Sequence, residues 1–199
     1  MALRVLGFEV KGFGGLVLWV LRRRHGVPPG AVAAGYAGEQ AVTLALLVFA
    51  MAVETVVVDL LLAAVGVPGW VRYPVLVAGV YGVLFGLMTA ATCATRPHVV
   101  TGEELRVRYG AYFDLRVPRE LITGVRAGRG ADEKRLVSVV DGHLRVAVGS
   151  RTNVTVELAR PVTAVRPLGR RAEVTRVTFF ADDPKAVVAA LRPGVAASP

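Results

Sequence analysis

The chain has 199 residues, 54% of them hydrophobic, and a mean hydropathy of +0.53. That is too apolar for an ordinary soluble domain and too polar for a wholly embedded one, so the expectation is a chain divided between membrane and water. The 24 Lys and Arg outnumber the 15 Asp and Glu, and the single Cys, Cys93, excludes an internal disulfide and a Cys-based metal pair.

Residues 1–40 carry a net charge of +3, with Lys11 and then Arg22, Arg23 and Arg24 bracketing the apolar run Phe13 to Leu21. The nine residues from Phe13 to Leu21 reach only about 14 Å as a helix, too short to span a bilayer. A secretory signal is rejected, because three consecutive arginines would separate the apolar run from the cleavage-like Ala31-Val32-Ala33. The expectation is a cytoplasmic or interfacial helical segment, lying at the headgroup level or against the soluble domain, with Trp19 and the arginines suited to that depth.

Residues 41–95 hold two apolar stretches, Ala41 to Val65 and Val71 to Thr95, separated by Gly66-Val67-Pro68-Gly69-Trp70. Each exceeds the roughly 20 residues a helix needs to cross a hydrocarbon core, and the Pro and Gly between them end helices, so a transmembrane hairpin is expected. Basic residues flank it on the outer side of both ends (Lys11 and Arg22 to Arg24 before, Arg96, Arg106 and Arg108 after), whereas the turn offers only Arg72. By the bias of cytoplasmic loops toward Lys and Arg, both termini face the cytoplasm. Cys93, near the end of the second stretch, is read as a small buried side chain or a palmitoylation site.

Two carboxylates lie within the first stretch. Glu54 falls near the bilayer midplane, where an ionised carboxylate facing lipid costs several kcal/mol, so a protonated side chain hydrogen-bonded to Tyr81 of the second stretch is expected. Asp59 lies nearer the turn and within reach of Arg72. Five residues apart, the two carboxylates point about 140° away from one another and do not form one site. Either a proton or cation relay or a polar contact fixing helix pairing accounts for Glu54. The second stretch also carries small residues at every fourth place, Ala78, Gly82, Gly86 and Ala90, a ridge that admits close approach of another helix. Its occupant is the first stretch, a second copy or another membrane protein.

After Arg96-Pro97 the periodicity becomes alternating, marking a soluble β domain over residues 96–192. A three-residue Gly110-Ala111-Tyr112 loop pairs Tyr109 with Phe113, Val107 with Leu115 and Leu105 with Val117, keeping one face apolar. Across Asp141-Gly142 a hairpin pairs Val139 with Leu144 and Val137 with Val146. Asn153 to Leu158 then continues a meander, setting Val148 beside Val154 and Val146 beside Val156. Strands around Val162 to Val165 and Glu173 to Phe180 bring the number to about seven. A terminal helix begins at the N-cap Asp183 with Pro184 in its first turn, buries Val187, Val188 and Leu191, and precedes a flexible tail over residues 193–199.

The run Arg96-Pro97-His98-Val99-Val100-Thr101, then Leu105 to Gly110, then Phe113 to Pro118 with Ile122 and Val125, resembles the opening of bacterial pleckstrin-homology-like domains attached to membrane hairpins. Asp182-Asp183-Pro184 through Leu191 is similar to their closing helix. The resemblance implies an α+β membrane protein: a two-helix hairpin, then a PH-like antiparallel barrel or bent sheet with a C-terminal capping helix. It implies no catalytic residues. The chain lacks the long basic first loop with which phosphoinositide-binding relatives hold headgroups.

Basic residues elsewhere still admit anionic lipid. Arg106 lies opposite Arg116, a like-charge pair unfavourable unless solvated or met by an anion; Arg160, Arg166, Arg170 and Arg171 cluster around the Pro167-Leu168-Gly169 turn. His25, His98 and His143 are isolated, and no metal spacing, nucleophile elbow or phosphate loop is present. Only three basic residues are Lys, a bias that genome composition alone can produce, and no reading helix or stacking platform accompanies them, so nucleic acid is not an expected partner. The expectation is a non-enzymatic, cofactor-free integral protein of the inner (plasma) membrane, a binding or scaffolding module partnered by the bilayer. The alternative is an oligomeric transport or proton-coupling component using Glu54.

Overall fold

A computed structural model describes residues 2–130, 133–167 and 169–192; the tail expected over 193–199 and Leu168 of the expected turn lie outside them. The order is α1 (Ala2–Val20), β1 (Val32–Ala34), α2 (Gly38–Ala64), α3 (Gly69–Thr95), β2 (His98–Val100), β3 (Glu104–Tyr109), β4 (Phe113–Pro118), a 3-10 turn (Arg119–Leu121), β5 (Ile122–Gly130), β6 (Val137–Val140), β7 (His143–Val146), β8 (Thr152–Val165), β9 (Arg171–Phe179) and α4 (Pro184–Leu191).

The two 27-residue helices α2 and α3 are long and apolar enough to cross a membrane. Their apolar windows are 0% and 17% buried, so they are not enclosed within this chain; Leu46, Phe49, Val56 and Leu60 of α2 and Val77 and Val80 of α3 are bare. The pair touches through glycine. A Cβ on Gly79, Gly82 or Gly86 would come within 2.7 Å of Thr55 Cγ2, 2.9 Å of Met51 Cε or 2.8 Å of Val48 Cγ2 respectively. Close backbone approach of this kind draws helices together where the surroundings are as apolar as the side chains.

Residues 1–40 depart from the expected single helical segment. α1, expected at the headgroup level or against the soluble domain, packs along α3 in the same direction: Gly12 approaches Met88, and Gly15 approaches Thr92, where an added Cβ would meet Thr92 Cγ2 at 2.5 Å. The 19-residue helix is longer than the apolar run because it extends through Glu9 and Lys11. Beyond it the chain forms β1, whose Ala33 pairs with Val99. Three small residues carry too little alternation to announce a strand; its partner lies more than sixty residues on.

The β domain has two sheets, one in the order β1-β2-β3-β4 and one in the order β5-β8-β9-β7-β6. They do not close into a barrel. The β3–β4 register matches Tyr109 with Phe113 and Leu105 with Val117, and β6–β7 matches Val139 with Leu144. The expected meander is overturned. β9 inserts between β7 and β8, taking Val146 against Phe179 in parallel and Val156 against Val177 in antiparallel, so the second sheet is mixed. At the intervening corner Gly149 and Ser150 both have positive φ (+55° and +62°), and only Val148 bridges to Arg151. The strand expected at Val162 to Val165 is the far half of β8, beyond a register shift after Glu157. Nine strands are present among the described residues, rather than about seven.

The core lies between the sheets, where Leu105, Val107, Val117, Leu144, Val156, Val177 and Phe179 are fully enclosed. α4 closes one end with Val187, Val188 and Leu191 buried, and Asp183 caps it by accepting from the Ala186 amide at 3.0 Å.

Candidate functional site

The polar residues of greatest burial gather where α3 enters the β domain. The last two turns of α3 leave the bare part of the helix: Met88, Ala91, Thr92, Cys93 and Thr95 are buried. Gly110, with φ +49°, lets the β3–β4 hairpin approach Thr92 Oγ1 and Cys93 Sγ. Its amide donates to Tyr36 Oη at 2.7 Å, and Tyr109 Oη donates to Gln40 Oε1 at 3.2 Å. Tyr36 is stacked over Tyr109 and tilted against His98, whose ring meets the edge of Phe179. Cys93 is thus enclosed, which agrees with its reading as a small buried side chain.

His98 Nδ1 accepts the Arg108 backbone amide at 3.0 Å, which leaves the proton on Nε2 to be donated to the Phe180 carbonyl at 2.9 Å. Burial pushes its pKa down to about 4, outweighing the Phe180 hydrogen bond and aided by the Arg108 charge. The ring is therefore a neutral structural link. Arg108 alternates with Val107 and Tyr109 along β3 as Arg106 does, yet it is only 2% exposed. The connection after α1 lies over it, and its Nη1 and Nη2 donate to the carbonyls of His25 (2.8 Å) and Gly26 (3.1 Å). Alternation predicts which face a residue takes but not whether a loop covers that face. Residues Tyr36, Gln40, His98 and Arg108 therefore formed no group in the sequence, since four separate segments supply them.

The intramembrane residues are distributed differently from expectation. Tyr81 does not meet Glu54; its hydroxyl donates to Glu9 Oε1 of α1 at 2.6 Å. The reason is azimuth: α2 sits on the Gly79 face, and a residue two places on lies about 200° round the helix. Asp59 forms a two-pronged ion pair with Arg72 at 2.6 and 2.7 Å across the hairpin turn. Glu54 is exposed and has no hydrogen bond or ion pair among the described residues; it edges a groove of about 320 Å³ between α2 and α3, with Met51, Thr55 and Gly79. Of the small-residue ridge, Gly82 and Gly86 contact α2, joined by Gly79, whereas Ala78 is exposed beside the groove and Ala90 is half-buried.

The two expected basic clusters separate as well. Arg106 does stand opposite Arg116, but Asp114 meets it through Nε at 2.7 Å, so a carboxylate of the same chain offsets the Arg106 charge. Arg160, Arg166, Arg170 and Arg171 lie at the far end of the β8–β9 hairpin. The near end of β8 adjoins Arg151, which pairs with Glu39 in the first turn of α2 at 2.8 Å. Thirteen residues of strand separate Thr152 from Val165, a reach of about 40 Å. Among the described residues no group of three or more His, Cys, Asp or Glu is placed to hold a metal. No protein-family model, curated protein or solved structure matches this chain.

Proposed function

We propose that this chain is an integral protein of a bacterial inner membrane, a non-catalytic binding or scaffolding module whose PH-like β domain is held at the cytoplasmic face. One observation carries the reading: Cys93 in the last turn of α3 is part of the β-domain core and β2 begins three residues after Thr95, so no linker intervenes between the two. A domain joined in this way presents the same surface to the bilayer at all times, which suits docking rather than turnover. The likeness to PH-like domains rests on the strand pattern and the closing helix, and the open pair of sheets is a departure from it.

Orientation is tested by labelling with a membrane-impermeant maleimide in a Cys93→Ala background. Val67→Cys in the helical turn is expected to react in intact cells, and Lys134→Cys in the β domain only after permeabilisation. The opposite pattern overturns the cytoplasmic assignment, and reaction of both in intact cells overturns the hairpin.

The relay reading keeps one observation in its favour, the partnerless Glu54 inside an apolar helix. Glu54→Gln preserves hydrogen bonding and removes titration. If this variant accumulates normally and complements a deletion strain, the scaffold reading stands; normal accumulation without complementation transfers the assignment to proton coupling.

A further inference from the structure

The helices α1 and α3 run side by side in the same direction and finish together, leaving a hollow of about 560 Å³ lined by Trp19, Val20, Arg22, Arg23, Arg24 and Thr95. We propose that this hollow binds the phosphate of an anionic phospholipid, with the acyl chains lying along the bare apolar stripe of α1. The inference rests on the reading that α2 and α3 span the bilayer, and it moves the lipid contact from the arginines at the β8–β9 tip to a place adjoining the helices themselves.

Three observations lead there. First, the helix ends are already capped by backbone. The Arg22 and Arg23 amides fold back onto the carbonyls of Trp19 (3.0 Å) and Leu18 (2.8 Å), and the His25 amide donates to the Thr95 carbonyl at 2.8 Å. This is a paired-bond helix terminus, and it does not use the guanidinium groups. Arg22, Arg23 and Arg24 are exposed and, among the described residues, make no ion pair and no side-chain hydrogen bond. Second, the surroundings are strongly positive. Arg96, whose Nε is buried without a partner, stands with Arg106 and Arg108 around His25, and Asp114 is the carboxylate that opposes them. Burial first and these arginines next lower the His25 pKa. Third, Val10, Phe13, Val17 and Val20 are 72%, 51%, 58% and 78% exposed and recur at three- and four-residue intervals, a single stripe running into the hollow. Trp19 flanks its end, as an amphipathic ring does at headgroup depth. A basic recess between helices at the aqueous face of a membrane, continuous with a greasy stripe, matches a phosphodiester carrying two acyl chains.

The terminus holds a further sign. Arg22 has φ +53°, the left-handed position that glycine adopts without penalty. Arg22→Gly therefore relieves backbone strain while removing one charge, which separates binding from folding.

The test uses the full chain in detergent, in a Trp70→Phe background that leaves Trp19 as the sole indole. Phosphatidylglycerol with brominated acyl chains is expected to quench Trp19 saturably, brominated phosphatidylcholine only weakly, and inorganic phosphate to compete poorly. Arg22→Gly should weaken the apparent affinity about fivefold without lowering the unfolding temperature, and Arg22→Gly/Arg23→Gln/Arg24→Gln by about a hundredfold. Arg170→Gln/Arg171→Gln should leave it unchanged. Equal quenching by both lipids, or unaltered affinity in the triple variant, overturns the site; full competition by millimolar phosphate assigns the pocket to a free anion instead of a lipid. None of these outcomes bears on the maleimide labelling pattern, so the site and the orientation fail separately.

Discussion

The two ends of α3 are packed by different physics. Toward the helical turn, Gly79, Gly82 and Gly86 let α2 settle against the backbone while neighbouring apolar side chains stay bare. Toward Arg96, the helix buries Thr92, Cys93 and Thr95 among aromatic rings and paired polar groups. On the proposed reading that α2 and α3 lie in lipid, the first environment offers no gain from removing apolar surface from water, so attraction comes from close contact; in the second, burial supplies most of it. One continuous helix thus passes from bare apolar packing to an enclosed core within two turns, and substitutions should have opposite characters on either side of that change.

Phe179→Ala should have the largest effect. The ring is fully buried against His98, and its loss should destabilise the β domain by about 3–5 kcal/mol. Chemical denaturation followed by circular dichroism should show the near-ultraviolet signal of the β domain lost early while the far-ultraviolet helical signal of α2 and α3 persists. Simultaneous loss of helicity would mean that the two ends are one cooperative unit, which breaks the contrast.

Acid should act on the same end. His98 is held at a pKa of about 4 when folded and returns to about 6.5 when unfolded. Between these values the unfolded chain binds the extra proton, so stability is complete above pH 6.5, falls as the pH drops, and levels off near 4 after losing about 3 kcal/mol. The lowered values of His25 and His143 act in the same direction. His98→Gln, whose amide can both accept from the Arg108 amide and donate to the Phe180 carbonyl, should flatten this limb of the unfolding-temperature profile. An unchanged limb would place its origin elsewhere.

At the other end of α3, Gly79→Ala with Gly86→Ala should cost about 1–3 kcal/mol by overpacking against Thr55 and Val48. Steric-trap unfolding of the helical pair in detergent should register the loss, with the β-domain melting temperature unmoved. The smallest effect belongs to Asp183→Ala, which removes the cap of α4 for about 1 kcal/mol and should lower the β-domain midpoint alone.

Much of this contrast was legible in the chain. Apolar length gave α2 and α3, and the turn residues with their flanking alternation gave the β3–β4 and β6–β7 registers, because a two- or three-residue connection leaves few ways to keep one face apolar. What escaped was non-local. β9 between β7 and β8, β1 on the edge of β2, and the α1 glycines seated on α3 each depend on a partner tens of residues away. The candidate site followed the same rule. Asp59 and Arg72 face each other across a short turn and could be paired by inspection, whereas Tyr81 was assigned to the wrong carboxylate because the face of α3 that receives α2 had to be known first. Arg22 to Arg24 were visible as charge, but only the parallel course of α1 and α3 turns them into a recess.

The pairing of β1 with β2 has a consequence for biogenesis. Val32 to Ala34 are synthesised before the greasy hairpin and His98 to Val100 after it, yet these segments are hydrogen-bonded neighbours. On the proposed reading that α2 and α3 span a membrane, the first sheet is finished only after these helices have gone into the bilayer and come back to the starting side.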